Sequence, residues 1–128
     1  MNTDIEKESI NNTLRYFFDG LDNLDAGMIK KAFHPEARSF CVMDSGLGSR
    51  SVSHWDDTIR DAQDDPNHLF REKSRKNIVF IDITGDAASA KVEWVFTDLM
   101  FIDYYNLLKL DGRWYIMNKI YHTTLFEK

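Results

Sequence analysis

The chain has 128 residues, 43% of them hydrophobic and 13% aromatic, which suits one ordinary domain with a packed core. A formal net charge of -5 argues against a phosphate-backbone binder, which needs clustered Lys and Arg, so no nucleic-acid partner is expected. Cys41 is the only cysteine, and no apolar run nears the roughly 18 residues of a membrane span. The polar, acidic opening MNTDIEKESI has no apolar leader segment. The expectation is therefore a soluble cytoplasmic protein of a single domain, residues 1–128, with no membrane partner. The one dense basic run, Arg71 to Lys76, includes Glu72 and reads as a solvated lead into a strand.

Thr3 and Glu6 form a capping box, so a helix should begin there. Ile10, Leu14, Phe17, Phe18 and Leu21 recur at helical spacing, and Gly20 sits where this helix should end. Asp25 can cap a short second helix with Met28, Ile29, Ala32 and Phe33 facing inward, stopped by Pro35 at His34. Ala37 to Met43 reads as a first strand. Ser45-Gly46-Leu47-Gly48-Ser49 is turn chemistry. Ser53-His54-Trp55-Asp56 opens a third helix on which Trp55, Ile59 and Ala62 share a face.

From Asn77 onward the pattern is strand. Ile78 to Ile83 is β-branched and apolar, Thr84-Gly85-Asp86 turns the chain, and Ala88, Ala90, Val92, Trp94 and Phe96 then alternate with more polar positions. Asp111-Gly112 marks a hairpin between two aromatic-rich strands. Helices followed by a run of strands argue α+β. The expected architecture is N-terminal helices on a strongly curved, mostly antiparallel sheet, forming a cone with an internal pocket.

The hairpin carries the candidate site. With a two-residue turn, Leu110 pairs with Arg113, Tyr105 with Asn118, Asp103 with Ile120 and Phe101 with His122. Phe101, Asp103, Tyr105, Leu107, Trp114, Ile116, Asn118, Ile120 and His122 then share the inner face. A three-residue turn with a bulge shifts parity and puts Asp103 and His122 on opposite faces. On the favoured register Asp103 and His122 are the candidate catalytic residues, Asp103 as general base. Tyr16, Phe33, Phe96, Phe101, Tyr105 and Asn118 are the candidate ligand-binding residues. The outer face would show Ile102, Tyr104, Asn106, Leu108, Tyr115, Met117, Lys119 and Tyr121. That apolar patch suggests a homodimer, with Tyr104, Tyr115, Met117 and Tyr121 at its centre.

Metal and cofactor chemistry are not expected. His34, His54, His68 and His122 show no ligand spacing, no Cys-x-x-Cys or G-x-S-x-G occurs, and Gly46-Leu47-Gly48 is too short for a phosphate loop.

Three segments carry a resemblance. They are Tyr16-Phe17-Phe18-Asp19-Gly20 with Leu24-Asp25, then Phe33-His34-Pro35-Glu36-Ala37, and Asp111-Gly112-Arg113-Trp114-Tyr115-Ile116. Over nearly its whole length the chain resembles the nuclear-transport-factor-two-like superfamily, the cystatin-like α+β cone of ketosteroid isomerases, scytalone dehydratases and polyketide cyclases. Ile81 to Ala88 and Asp103-Tyr104-Tyr105 bring it nearest a branch of small bacterial proteins carrying a lumazine-binding label. The resemblance implies the cone, a small organic ligand and a face-to-face dimer. It also implies inner-face Asp, Tyr and His where members are enzymes. Because such folds host many functions, three readings stand: a small-molecule binder with an apolar, aromatic-lined pocket for a cyclic or aromatic ligand; a cofactor-independent isomerase, dehydratase or cyclase using Asp103; or a dimerisation module with a vestigial pocket.

Overall fold

The computed structural model describes residues 3–126. Helix α1 (Thr3–Asp22) buries the stripe of Ile10, Leu14, Phe17, Phe18 and Leu21. Both carboxylate oxygens of Glu6 reach across the fold. Oε1 accepts from Lys109 Nζ at 2.7 Å and Oε2 from Trp114 Nε1 at 2.6 Å. About two turns further on, Thr13 Oγ1 donates to the Trp114 carbonyl at 2.9 Å. The helix is thus fastened to the final hairpin by buried polar groups as well as by its apolar stripe.

Gly20 does not end this helix, which runs on to Asp22. Its role is close approach: a Cβ there would lie 2.6 Å from Ile29 Cγ1 and 2.8 Å from Ile29 N. The chain reverses at Leu24, which takes φ 51°. Asp25 then caps α2 (Ala26–Ala32), accepting from Met28 N at 3.1 Å.

Strand β1 (Phe33–Met43) begins four residues earlier than expected and passes through Pro35. Pro35 falls where pairing with the last strand is irregular, between Phe33 and Arg38, so its missing N–H breaks no ladder bond there. The Gly- and Ser-rich segment expected as a turn is instead an edge strand, β2 (Gly46–Ser51), antiparallel to β1. A Cβ on Gly48 would meet Cys41 Sγ and Met43 Sδ at 2.8 Å, so glycine here serves packing rather than turning.

Helix α3 (His54–Asp64) and a 3-10 turn at Leu69–Arg71 lead into β3 (Arg75–Thr84), β4 (Ala87–Val95), β5 (Leu99–Leu110) and β6 (Arg113–Leu125). The six strands form one open sheet in the order β2-β1-β6-β5-β4-β3. Its β3 to β6 part is an antiparallel meander, while β1 joins β6 in parallel. The architecture is α+β, with a mixed sheet that curls without closing.

The hairpin turn has two residues, with Asp111 at φ 50° and Gly112 at φ 79°, and Leu110 pairs with Arg113. The expected register then fails. Leu107 pairs with Ile116 but Asn106 pairs with Asn118, so Met117 is an extra residue in β6. A bulge of one residue sends every later side chain to the other face. Tyr105 therefore pairs with Lys119, Asp103 with Tyr121 and Phe101 with Thr123. Lys119 and Tyr121, expected outside, turn inward; Asn118, Ile120 and His122, expected inside, turn outward.

Under the inner face lies an aromatic core centred on Phe17, which is fully buried. Its ring lies 4.9 Å from Trp94, 5.1 Å from Trp55, 5.2 Å from Phe33 and 6.0 Å from Tyr105, centroid to centroid.

Candidate functional site

A cavity of about 120 Å³ opens between the inner sheet face and α3. Trp55, Phe70, Trp94 and Phe101 supply apolar walls, and Asp103, Lys119 and Tyr121 bring polar atoms to it. Ser39 from β1, Arg50 and Ser51 from β2, and His54 and Thr58 from α3 complete the lining.

Strand alternation positions Asp103. It shares the inner face of β5 with Phe101, Tyr105 and Leu107, and it is 1% exposed. Its Oδ2 accepts from the Tyr105 hydroxyl at 2.7 Å and lies 3.5 Å from Lys119 Nζ. Its Oδ1 is buried with no hydrogen-bond partner among the described residues, as is Trp94 Nε1.

The β6 bulge delivers Lys119, which is 6% exposed. Five rings surround its Nζ: Phe17 at 4.8 Å, Tyr121 at 5.1 Å, Trp94 at 5.4 Å, Trp55 at 5.5 Å and Tyr105 at 5.9 Å from the ring centroids. Ring quadrupoles and the Asp103 charge favour the ammonium form. Burial opposes them and wins, holding the Lys119 amine below the ordinary lysine value. Burial, reinforced by the Asp103 charge, pushes the Tyr105 phenol well above its ordinary value, so it remains a proton donor to Asp103.

The remaining polar groups are tuned as well. Burial pushes Tyr121 up to about 12, helped by its hydrogen bond with the Cys41 thiol. Burial, with the nearby Arg50 charge, lowers His54, whose Nε2 lies 2.9 Å from Thr58 Oγ1. The site thus joins a carboxylate, a phenol and a buried amine to stacking surfaces, in surroundings that strengthen electrostatic contacts. Among the described residues no three of His, Cys, Asp and Glu gather as a metal-ligand set.

A family model described as "Putative lumazine-binding" matches residues 5–122. The chain belongs to this family. A solved nuclear-transport-factor-two-like protein of unknown function from Shewanella baltica is 28% identical, with a TM-score of 0.83 over 97% of this chain and 98% of that one. One from Silicibacter pomeroyi shares the fold at 19% identity, with a TM-score of 0.81 over 97% and 100% of the two chains. A Nostoc punctiforme protein described by its cystatin-like fold aligns with a TM-score of 0.73 at 14% identity, over 94% and 92%. By sequence, the chain is 22% identical over 121 residues to "Aldolase FrzH" of Cladobotryum sp, covering 94% of each.

Of the residues singled out from the sequence, Phe101 and Asp103 line the cavity, and Tyr105 stands behind Asp103 through its hydroxyl. Phe96 is buried with its ring 5.8 Å from Phe101, and Phe33 is buried against Phe17. Tyr16 is 42% exposed, with the Arg113 guanidinium over its ring, and is not in the cavity wall. Asn118 accepts from Asn106 Nδ2 at 2.8 Å on the outer face, and His122 is exposed there. The Met117 bulge accounts for both displacements. Sequence reasoning placed Lys119 on the wrong face. The one available signal was a charged side chain set between the apolar pairs Ile116-Met117 and Ile120-Tyr121.

Proposed function

We propose that the protein binds a small planar ring compound in the cavity between the sheet and α3. One observation carries this reading: two buried polar atoms of opposite character, Trp94 Nε1 and Asp103 Oδ1, belong to cavity-lining residues and have no partner among the described residues. Buried polar groups are nearly always satisfied, so the pair calls for a ligand with an acceptor and a donor. The aromatic lining offers stacking, and the Lys119 amine offers a further donor. A volume of about 120 Å³ is close to the ~150 Å³ that encloses a benzene-sized ring, so a larger ligand would extend toward the serine- and arginine-lined side. The family description names lumazine, a fused heterocycle that presents both N–H and C=O groups on its edges.

Calorimetric titration with lumazine tests this. Binding is expected, weakened roughly tenfold or more in Asp103→Asn, in line with the ~1.5–3 kcal/mol of a hydrogen bond to a charged group. Affinity that Asp103→Asn leaves unchanged would remove Asp103 from the site.

A second reading is supported by the same carboxylate and by the relative called an aldolase. Oδ2 is held by Tyr105 and Lys119 while Oδ1 is unengaged by the described residues, as a general base toward a carbon acid requires. The chemistry would be cofactor-independent proton transfer of the isomerase, dehydratase or cyclase type. Asp103→Asn should then abolish proton exchange on cyclic ketones while the fold survives.

Assembly as a homodimer through the outer sheet face is part of the proposal. With Lys119 and Tyr121 turned inward, its centre moves to Tyr104 and Ile120, which are 42% and 50% exposed.

A further inference from the structure

Four polar or charged side chains are buried among the described residues: Glu6, Thr13, Asp103 and Lys119. Glu6 and Thr13 fasten α1 to Trp114. Asp103 and Lys119 fasten no two elements in that way; they sit on adjacent strands that the sheet ladder already joins. A buried ion pair is a poor source of stability, because a well-packed apolar pair of similar size does as well or better. This pair also borders the cavity, so it is placed for chemistry rather than for holding the fold.

Lys119 differs from the other described lysines. Lys7, Lys31 and Lys73 are exposed, while Lys119 holds its Nζ inside five rings and 3.5 Å from a carboxylate oxygen. An amine desolvated among rings and beside a base is the setting in which lysine becomes a nucleophile. We propose that Lys119 captures the carbonyl carbon of a small aldehyde or ketone as an imine, with Asp103 carrying the proton. The proposal rests on the reading of the cavity as a ligand site.

The step balances without an outside reagent. The ammonium of Lys119 passes one proton to the Asp103 carboxylate and becomes a neutral amine. Its lone pair forms a C–N bond as the carbonyl π bond breaks, and a proton moves from nitrogen to oxygen to give the carbinolamine. Protonated Asp103 then returns its proton to the hydroxyl, which leaves as water while C=N forms. The products are one water, an iminium on Lys119 and an ionised Asp103 beside it, with charge conserved and no redox change. The Tyr105 hydroxyl, bonded to Oδ2, orients the carboxylate throughout and is a positioning residue.

The test uses the full chain and 2,4-pentanedione, which turns a neutral amine into an enaminone with loss of one water. Intact mass counts the adducts and peptide mapping locates them. Lys119 is expected to react first, at least about tenfold faster than Lys7, Lys31 and Lys73. Lys119→Met should lose this fast phase and keep the slow surface one. Asp103→Asn, which retains the amine, should slow the fast phase about tenfold or more. The wild-type map decides the matter even if a variant fails to fold: surface adducts with Lys119 unmodified overturn the proposal. Lumazine titration alongside separates the two readings. Lumazine binding without a Lys119 adduct overturns the imine and leaves the ligand site standing; neither binding nor adduct overturns both.

Discussion

Lys119 pays for its position in a way that pH reveals. Burial lowers its amine below the 10.5 of an ordinary lysine, which is the value it regains on unfolding. Below the folded value both states carry the proton, and the desolvation cost is fully present. Between the folded value and 10.5 the unfolded chain binds more protons than the folded one, so stability rises with pH. The expected outcome is that wild type gains stability relative to Lys119→Met as pH climbs from neutral toward 10.5, by at most ~1.4 kcal/mol per pH unit. Urea unfolding of both proteins at a series of pH values measures it, and a difference that stays flat would show that the amine is not desolvated. At this scale the sequence was half legible. Asp103 and Tyr105 alternate visibly with apolar residues on β5, and the turn next to them is chemically marked. Lys119 is marked only as a charge between apolar pairs, and its inward direction depends on a register it does not itself determine.

Glu6 shows how one element is held to another. The hydrogen bond from Lys109 first, and that from Trp114 next, hold its carboxyl below the ordinary value of 4.5. A depressed carboxyl contributes stability that is present above the unfolded pKa and is lost as pH falls through the folded one. Glu6→Gln should therefore lower the melting temperature at neutral pH, and the deficit should close as pH drops through 4.5 and below. Thermal melts followed by circular dichroism at both ends of that range test the expectation. A deficit of constant size would mean the contact acts by shape and not by charge. The sequence marked Glu6 only as half of a capping box, since its partners Lys109 and Trp114 lie 103 and 108 residues away. Elements with local chemistry were legible in the same sense. Asp25 announces α2, and Asp111-Gly112 announces a turn that requires two positive φ angles. Elements defined by a distant neighbour were not. Gly48 looks like a turn residue until Cys41 and Met43 are set against it, and Gly20 looks like a helix end until Ile29 crosses it. Met117 is an ordinary strand residue, and only the ladder to β5 shows that it is supernumerary.

At the scale of the molecule, one sheet face is covered by helices and the other carries an apolar row. Register brings Phe40, Ile120, Tyr104, Lys91 and Phe80 side by side across five strands. Phe80, Tyr104 and Ile120 are 43%, 42% and 50% exposed, and Lys91 lays its ammonium 5.4 Å from the Tyr104 ring centroid. Beside this row, Ser89, Asn106 and Asn118 form a hydrogen-bonded polar row on the same strands. A band of large side chains bordered by polar groups resembles the core and rim of an interface. Scattered apolar residues need no explanation, but a contiguous row in strand register presents one surface to a partner. A second copy is the simplest occupant, because a two-fold axis over Tyr104 would set each row against its own image. The homodimer should then depend on the centre of the row and not on the half-buried Tyr115, which lies under the Arg113 guanidinium. Ile120→Asp would place a charge at that centre without touching the cavity, and it should convert the dimer to a monomer while ligand binding persists. Light scattering at micromolar concentration measures the change. A wild-type mass near the 15.0 kDa of a single chain would dispose of the dimer and leave this row to another partner.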